Sequence, residues 1–158
     1  MHFFRNLASK FKEPMSKHDR KRFLLEGFLG AVIFGSFMGA VDYFILTTNL
    51  AFLSLFTFIV FYTFMTRRLY RSFSFYHIWY SILAVVFVLL GDYFINVFGH
   101  ALYFYQTVGK IPLAIFNPII YYRFLYVWSA DAMVILLNIV SIIVYIFICV
   151  MTYIQMKR

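Results

Sequence analysis

Four long apolar runs divide the chain, at about residues 23–46, 50–66, 78–98 and 132–154, and short polar or basic stretches separate them. Thr47, Thr48 and Asn49 are enough for a tight turn between the first two runs. A hydrocarbon core takes about 20 helical residues, with about 17 as the lower limit. Each run meets that length, and none shows the polar–apolar alternation of a barrel strand. In lipid the backbone must satisfy its own hydrogen bonds, so such runs are helices. The pattern predicts an all-α membrane protein, a bundle of four transmembrane helices filling a single domain over 23–158, with a basic segment 1–22 ahead of it.

Between the third and fourth runs, residues 99–130 are too aromatic for a free loop: Tyr103, Phe104, Tyr105, Tyr121, Tyr122, Phe124, Tyr126 and Trp128 all fall there. Pro112 and Pro118 interrupt it and Arg123 sits in its most apolar part. A centrally placed arginine is costly in lipid. The segment is therefore expected to be interfacial or partly re-entrant on the outer face, and not a fifth span.

Composition fits this picture. Hydrophobic residues make up 64% of the 158 and charged residues 13%, with a mean hydropathy of +0.84. A soluble domain carries roughly 25% charged residues, so lipid and not water is the expected surroundings. The formal charge of +8 flanks the apolar runs instead of forming one stripe, which argues against a nucleic-acid partner. Of the 14 basic residues, all but Lys110 and Arg123 precede the first run, follow the second, or close the chain. The positive-inside rule then puts both termini in the cytoplasm of a multi-pass cell-membrane protein. Within the first 22 residues, Phe3, Phe4, Leu7 and Phe11 recur at helical spacing, enough for a short helix lying flat on an anionic surface. The basic and then aromatic stretch from Arg67 to Tyr80 reads as anchoring in the inner headgroup layer.

Two patterns are candidates for function. Gly27, Ala31, Gly35 and Gly39 place a small residue at every fourth position of the first run, a ladder that lets another helix approach closely. The partner of that ladder is either another span of this chain or another subunit. Asp42, Asp92 and Asp131 are acids in or beside apolar runs, where ionisable groups face a bundle interior, water or a partner. Asp92, Asn96 and His100 follow at four-residue steps, so with Asp42 and Asp131 they outline a possible polar cleft for a small solute or proton relay. The plainer alternative is that these groups satisfy one another or mark the membrane boundary. Asp42-Tyr43-Phe44-Ile45 also recurs as Asp92-Tyr93-Phe94-Ile95, which would follow from two similar helical hairpins.

No cofactor, metal or catalytic constellation is expected. Asp92 and His100 stand about 12 Å apart along a helix axis, too far to share an ion. The chain has one cysteine, Cys149, and no nucleophile elbow, HExxH or phosphate-binding loop. Gly35-Ser36-Phe37-Met38-Gly39-Ala40-Val41-Asp42, followed by a polar turn and another apolar run, resembles the MreD group of rod-shape proteins. The basic Arg22 leading into Phe23-Leu24-Leu25, with four spans, resembles the GtrA-like small membrane proteins. Neither resemblance has motifs specific enough to assign residues. The sequence favours a non-enzymatic accessory or scaffold subunit of a membrane or cell-envelope complex, bound to other subunits or to itself. The alternative is a small-molecule or ion transporter using the polar cleft.

Overall fold

The computed structural model describes residues 16–48, 53–122 and 131–157. The expected surface helix around Phe3–Phe11, the start of the second apolar run and the stretch carrying Arg123 lie outside those residues. Among the described residues five helices form: α1 Lys17–Leu46, α2 Ser54–Tyr70, α3 Ile78–Val108, α4 Pro118–Tyr121 and α5 Ala132–Lys157. In α1 one wide turn, Gly30–Phe34, has π geometry.

Helix ends follow local chemistry. Ser16 caps α1, its hydroxyl accepting from the amide of Asp19 at 3.4 Å. His77 caps α3 through Nδ1, which accepts from the Trp79 amide at 3.2 Å. α3 stops at Gly109, which has a φ of 70° that side-chain-bearing residues rarely adopt. Asn117 accepts from the Ile119 amide at 3.0 Å and Pro118 occupies the first turn of α4.

Among the described residues three helices, not the expected four, are long and apolar enough to cross a membrane: α1, α3 and α5. The expected second span is α2, a helix of 17 residues whose last turn carries Arg67 and Arg68. The stretch ahead of Arg67, Ser54–Thr66, is about 20 Å long at roughly 1.5 Å per residue, short of a hydrocarbon core of about 30 Å. The third run is also longer than expected. It runs on through Gly99 to Val108 and ends only where Gly109 takes the left-handed conformation.

α1 and α3 run parallel in close contact. Going up the pair, the Phe23 and Tyr80 ring centroids are 4.8 Å apart, Gly27 faces the Phe87 ring, Gly35 faces Gly91, and Gly39 faces the Ile95 carbonyl. A Cβ added at Gly35 would lie 2.8 Å from the Gly91 oxygen, and one at Gly39 would lie 2.4 Å from the Ile95 oxygen. Ala31 is fully buried in the same strip. The expected ladder of small residues therefore faces α3 of the same chain. Gly91 in turn makes room for the Phe61 ring of α2.

α2 runs antiparallel to this pair, from Ser54 beside Asp42 to Arg68 beside Glu26. α5 runs antiparallel to α3, with Tyr153 beside Ser81 and Tyr145 beside Asp92. Both ends of the described chain thus gather at one end of the bundle, with Arg67, Arg68, Arg71 and Lys157. The core is aromatic: Phe23, Phe61, Met65, Leu69, Tyr80 and Met156 are each at most 1% exposed. Phe73 and Tyr80 stack there at 4.8 Å.

After Gly109 the chain folds back along α3. The Tyr93 hydroxyl donates to the Phe116 carbonyl at 2.6 Å, and the Tyr122 hydroxyl to the Leu89 carbonyl at 3.2 Å. The described part of the aromatic segment thus lies alongside α3 as deep as Leu89. The Asp-Tyr-Phe-Ile echo has no structural counterpart of matching height. Asp42 is level with the Gly99–His100 turn of α3, which puts it about 10 Å further along the bundle than Asp92.

Close packing at the ladder has a direct test. Gly35→Leu should lower stability by about 1–3 kcal/mol through overpacking, read as a lower thermal midpoint in detergent. Gly99→Ala, whose added Cβ would meet only the Gly39 oxygen at 3.5 Å, should leave the midpoint nearly unchanged. Equal midpoints for the two variants would remove this account of the α1–α3 contact.

Candidate functional site

The expected polar cleft is divided among three places. The reason is helical geometry: residues eight apart on a helix differ by about 80° around its axis. Asp92 and His100 therefore share a broad side of α3 but meet different neighbours.

Asp92 is buried on the α5 side, and the Tyr145 hydroxyl donates to its Oδ2 at 2.5 Å. Asn96 and His100 do not reach its carboxylate. Asn96 Nδ2 donates to the Asp92 carbonyl at 2.9 Å, and His100 Nδ1 lies 2.8 Å from the Asn96 carbonyl. Tyr122 packs against Tyr145, ring centroids 6.1 Å apart.

Asp42, Asn96 and His100 meet in a second place, a half-open cleft of about 570 Å³ between the far ends of α1 and α3. Tyr43, Thr47, Ser54 and Tyr103 complete its polar lining. Asp42 accepts from the Ser54 hydroxyl at 2.6 Å. The His100 ring also meets Tyr121 edge to face at 5.3 Å. This cleft offers one carboxylate, one imidazole and one carboxamide to a solute of modest size.

Asp131 belongs to neither. It is exposed at the start of α5, where its Oδ1 accepts from the Met133 amide at 2.9 Å, a helix-capping role. Among the described residues no group of three His, Cys, Asp or Glu side chains is arranged to hold a metal.

Two partners were missed from the sequence. Ser54 reads as a span hydroxyl bonding to backbone or across helices, and it pairs with Asp42 because α2 begins beside the end of α1. Glu26 drew no attention, although it accepts from Arg22 at 2.9 Å and lies 3.4 Å from Arg68. The spacing of Arg22 and Glu26, four apart on one helix, was the available signal.

A different kind of cavity, about 800 Å³ and almost wholly apolar, separates α3 from α5. Leu89, Leu90, Tyr93, Tyr145, Ile146 and Cys149 are among the residues that line it. α5 packs on the rest of the bundle through Met156 and Ile148, and hydroxyl contacts add to this. Besides Tyr145, the Ser81 hydroxyl donates to the Tyr153 carbonyl at 3.2 Å and the Tyr62 hydroxyl to Gln155 at 3.3 Å.

The Asp92–Tyr145 pair should hold α5 to α3. Tyr145→Phe leaves a buried carboxylate without that donor and should cost about 1–3 kcal/mol, measured by unfolding in detergent micelles. In an Asp92→Asn background the same change should cost clearly less, since the acceptor no longer carries the charge. Equal losses in the two backgrounds would show that the pair is not coupled.

No family model, curated protein or solved structure matches the chain. The findings support a helical chain with several long apolar helices, of the multi-pass membrane kind.

Proposed function

We propose that this chain is a non-enzymatic accessory or scaffold subunit of a membrane complex, and that it binds an apolar helix of a partner subunit in the groove between α3 and α5. The state of α5 carries this reading. It is the most apolar of the long helices, at a mean hydropathy of 2.9, and none of the residues in its most apolar stretch is buried. Beside it lies an open groove of about 800 Å³ whose lining is almost wholly apolar. Within a bilayer, helices associate through van der Waals fit and not through a hydrophobic drive. A concave apolar groove between two helices gives a third helix more such contacts than lipid tails can make. The ladder of small residues adds nothing to partner binding, because α3 already occupies it.

The positive-inside rule supports placing the basic end of the bundle in the cytoplasm. Arg22, Arg67, Arg68, Arg71 and Lys157 cluster there, while Lys110 follows the opposite end of α3.

Filling the groove tests the reading. Ile146→Trp adds apolar volume at the lining and should shift the protein, in native gels from mild detergent, from a larger species to the single chain. Phe147→Trp, on an exposed part of α5, should not. A wild-type protein already running as a single chain, or equal migration of the variants, would sink the proposal.

The cleft at Asp42 supports a second reading, transport of a small cation or polar solute, because it joins a carboxylate to hydrogen-bonding groups near a helix end. Under that reading Asp42→Asn lowers monovalent-cation or small-amine flux into proteoliposomes and Asp131→Asn does not. Flux no greater than in protein-free vesicles would dismiss it.

A further inference from the structure

At the basic end of the bundle a third cleft, about 720 Å³, opens between α1 and α2. Its mouth holds Arg22, Arg67, Arg68 and Arg71, with Glu26 as its acid. Glu26 is already engaged by Arg22 and Arg68. No carboxylate among the described residues lies within ion-pair distance of Arg67 or Arg71. Arg71 caps the end of α2 four residues after Arg67, so the two stand on about the same side of it. Below them the wall turns apolar: Ile59, Val60 and Phe64 are 50%, 51% and 43% exposed. From Arg67 down to Ile59 is about 12 Å along the helix.

We infer that this cleft is a binding site for an anionic phospholipid, its phosphate held by Arg67 and Arg71 and an acyl chain lying along Ile59, Val60 and Phe64. The two halves of the cleft require an occupant with both properties. Guanidinium groups match phosphate oxygens two at a time and stay charged at any physiological pH. A free phosphate or a soluble nucleotide would use the arginines and leave the apolar wall bare to water. A zwitterionic lipid would use the wall but bring its own cation to a mouth whose acid is already neutralised. Basic pockets between helices at the cytoplasmic face suit anionic headgroups on the same physical grounds. The site involves neither α5 nor the Asp42 cleft, so its fate is separate from both functional readings.

Native mass spectrometry of the full-length protein in detergent tests it, using phosphatidylglycerol and phosphatidylcholine with identical acyl chains. The wild-type protein should retain phosphatidylglycerol in preference to phosphatidylcholine. Arg67→Gln with Arg71→Gln should weaken phosphatidylglycerol retention about twenty-five-fold, at about fivefold per arginine near an anionic surface. Lys17→Gln with Lys21→Gln, the same change in charge on exposed positions of α1, should leave retention nearly intact. Equal retention of the two lipids by the wild-type protein overturns the inference without reference to any variant. Equal weakening by the two double substitutions overturns it by showing a general charge effect. Full displacement of phosphatidylglycerol by inorganic phosphate overturns it in favour of a free-anion site.

Discussion

Backbone meets backbone where α1 crosses α3, and the positions of the remaining elements follow from that contact. Gly35 against Gly91 and Gly39 against the Ile95 carbonyl leave no room for a side chain between the two helices. Such proximity fixes the relative height of the pair as well as its spacing, because each glycine admits one facing group. Asp42 is thereby set level with Asn96 and His100, and Phe23 level with Tyr80. α2 then has to lie in the groove beside this pair, where Phe61 fills the hollow left by Gly91. In a medium that supplies no hydrophobic drive between helices, this fit is the main source of cohesion. Its aromatic continuation through Phe23, Phe73 and Tyr80 extends the same contact to the basic end.

Much of this was legible in the sequence, for identifiable reasons. Apolar runs located all the main helices, since their lengths far exceed what turn residues can interrupt. The count of spans failed at α2, where a dense apolar composition hid how early Arg67 arrives. The end of α3 failed in the other direction: His100 and the aromatic residues after it suggested an interface, but the helix absorbs Gly99 and ends at Gly109, the glycine with positive φ. Four-residue spacing marked a strip of small residues and was silent on what faces it, because Gly91 and Gly99 lie in a run with no visible pattern of their own. The polar cleft was the weakest inference. Shared helical side is a necessary condition for two groups to meet, and over eight residues the drift around the axis is enough to send Asp92 to α5 and His100 to α1.

Asp42 and Asp92 differ in how they are accommodated. Asp92 is enclosed between helices and receives a phenol hydroxyl from Tyr145, so its polarity is met within the protein. Asp42 lies at a helix end, receives one hydroxyl from Ser54, and has a cleft at its side. A carboxylate satisfied by one internal donor in an enclosed place is a structural fastening. One satisfied by a single hydroxyl beside open space retains capacity to accept from a visitor. This difference is why the transport reading rests on Asp42 and not on Asp92, although the sequence drew more attention to Asp92.

The shortness of α2 and the charge at its end are one feature seen twice. An apolar helix that continued for another turn would carry Ile59, Val60 and Phe64 deeper into hydrocarbon and leave no cation at their level. Instead the arginines begin where the apolar wall stops, and Glu26 on α1 holds Arg68 in place without using up Arg67 or Arg71. Arginine stems lie along apolar surface while the guanidinium seeks water or phosphate, so the last turn of α2 belongs at the headgroup level. With the α1–α3 contact fixing α1, and Glu26 joining α1 to α2, the cationic mouth is held at a set height above the apolar wall. A phospholipid spans that same interval between phosphate and chain. The fit of this lipid therefore depends on the glycine contact as much as on the arginines themselves.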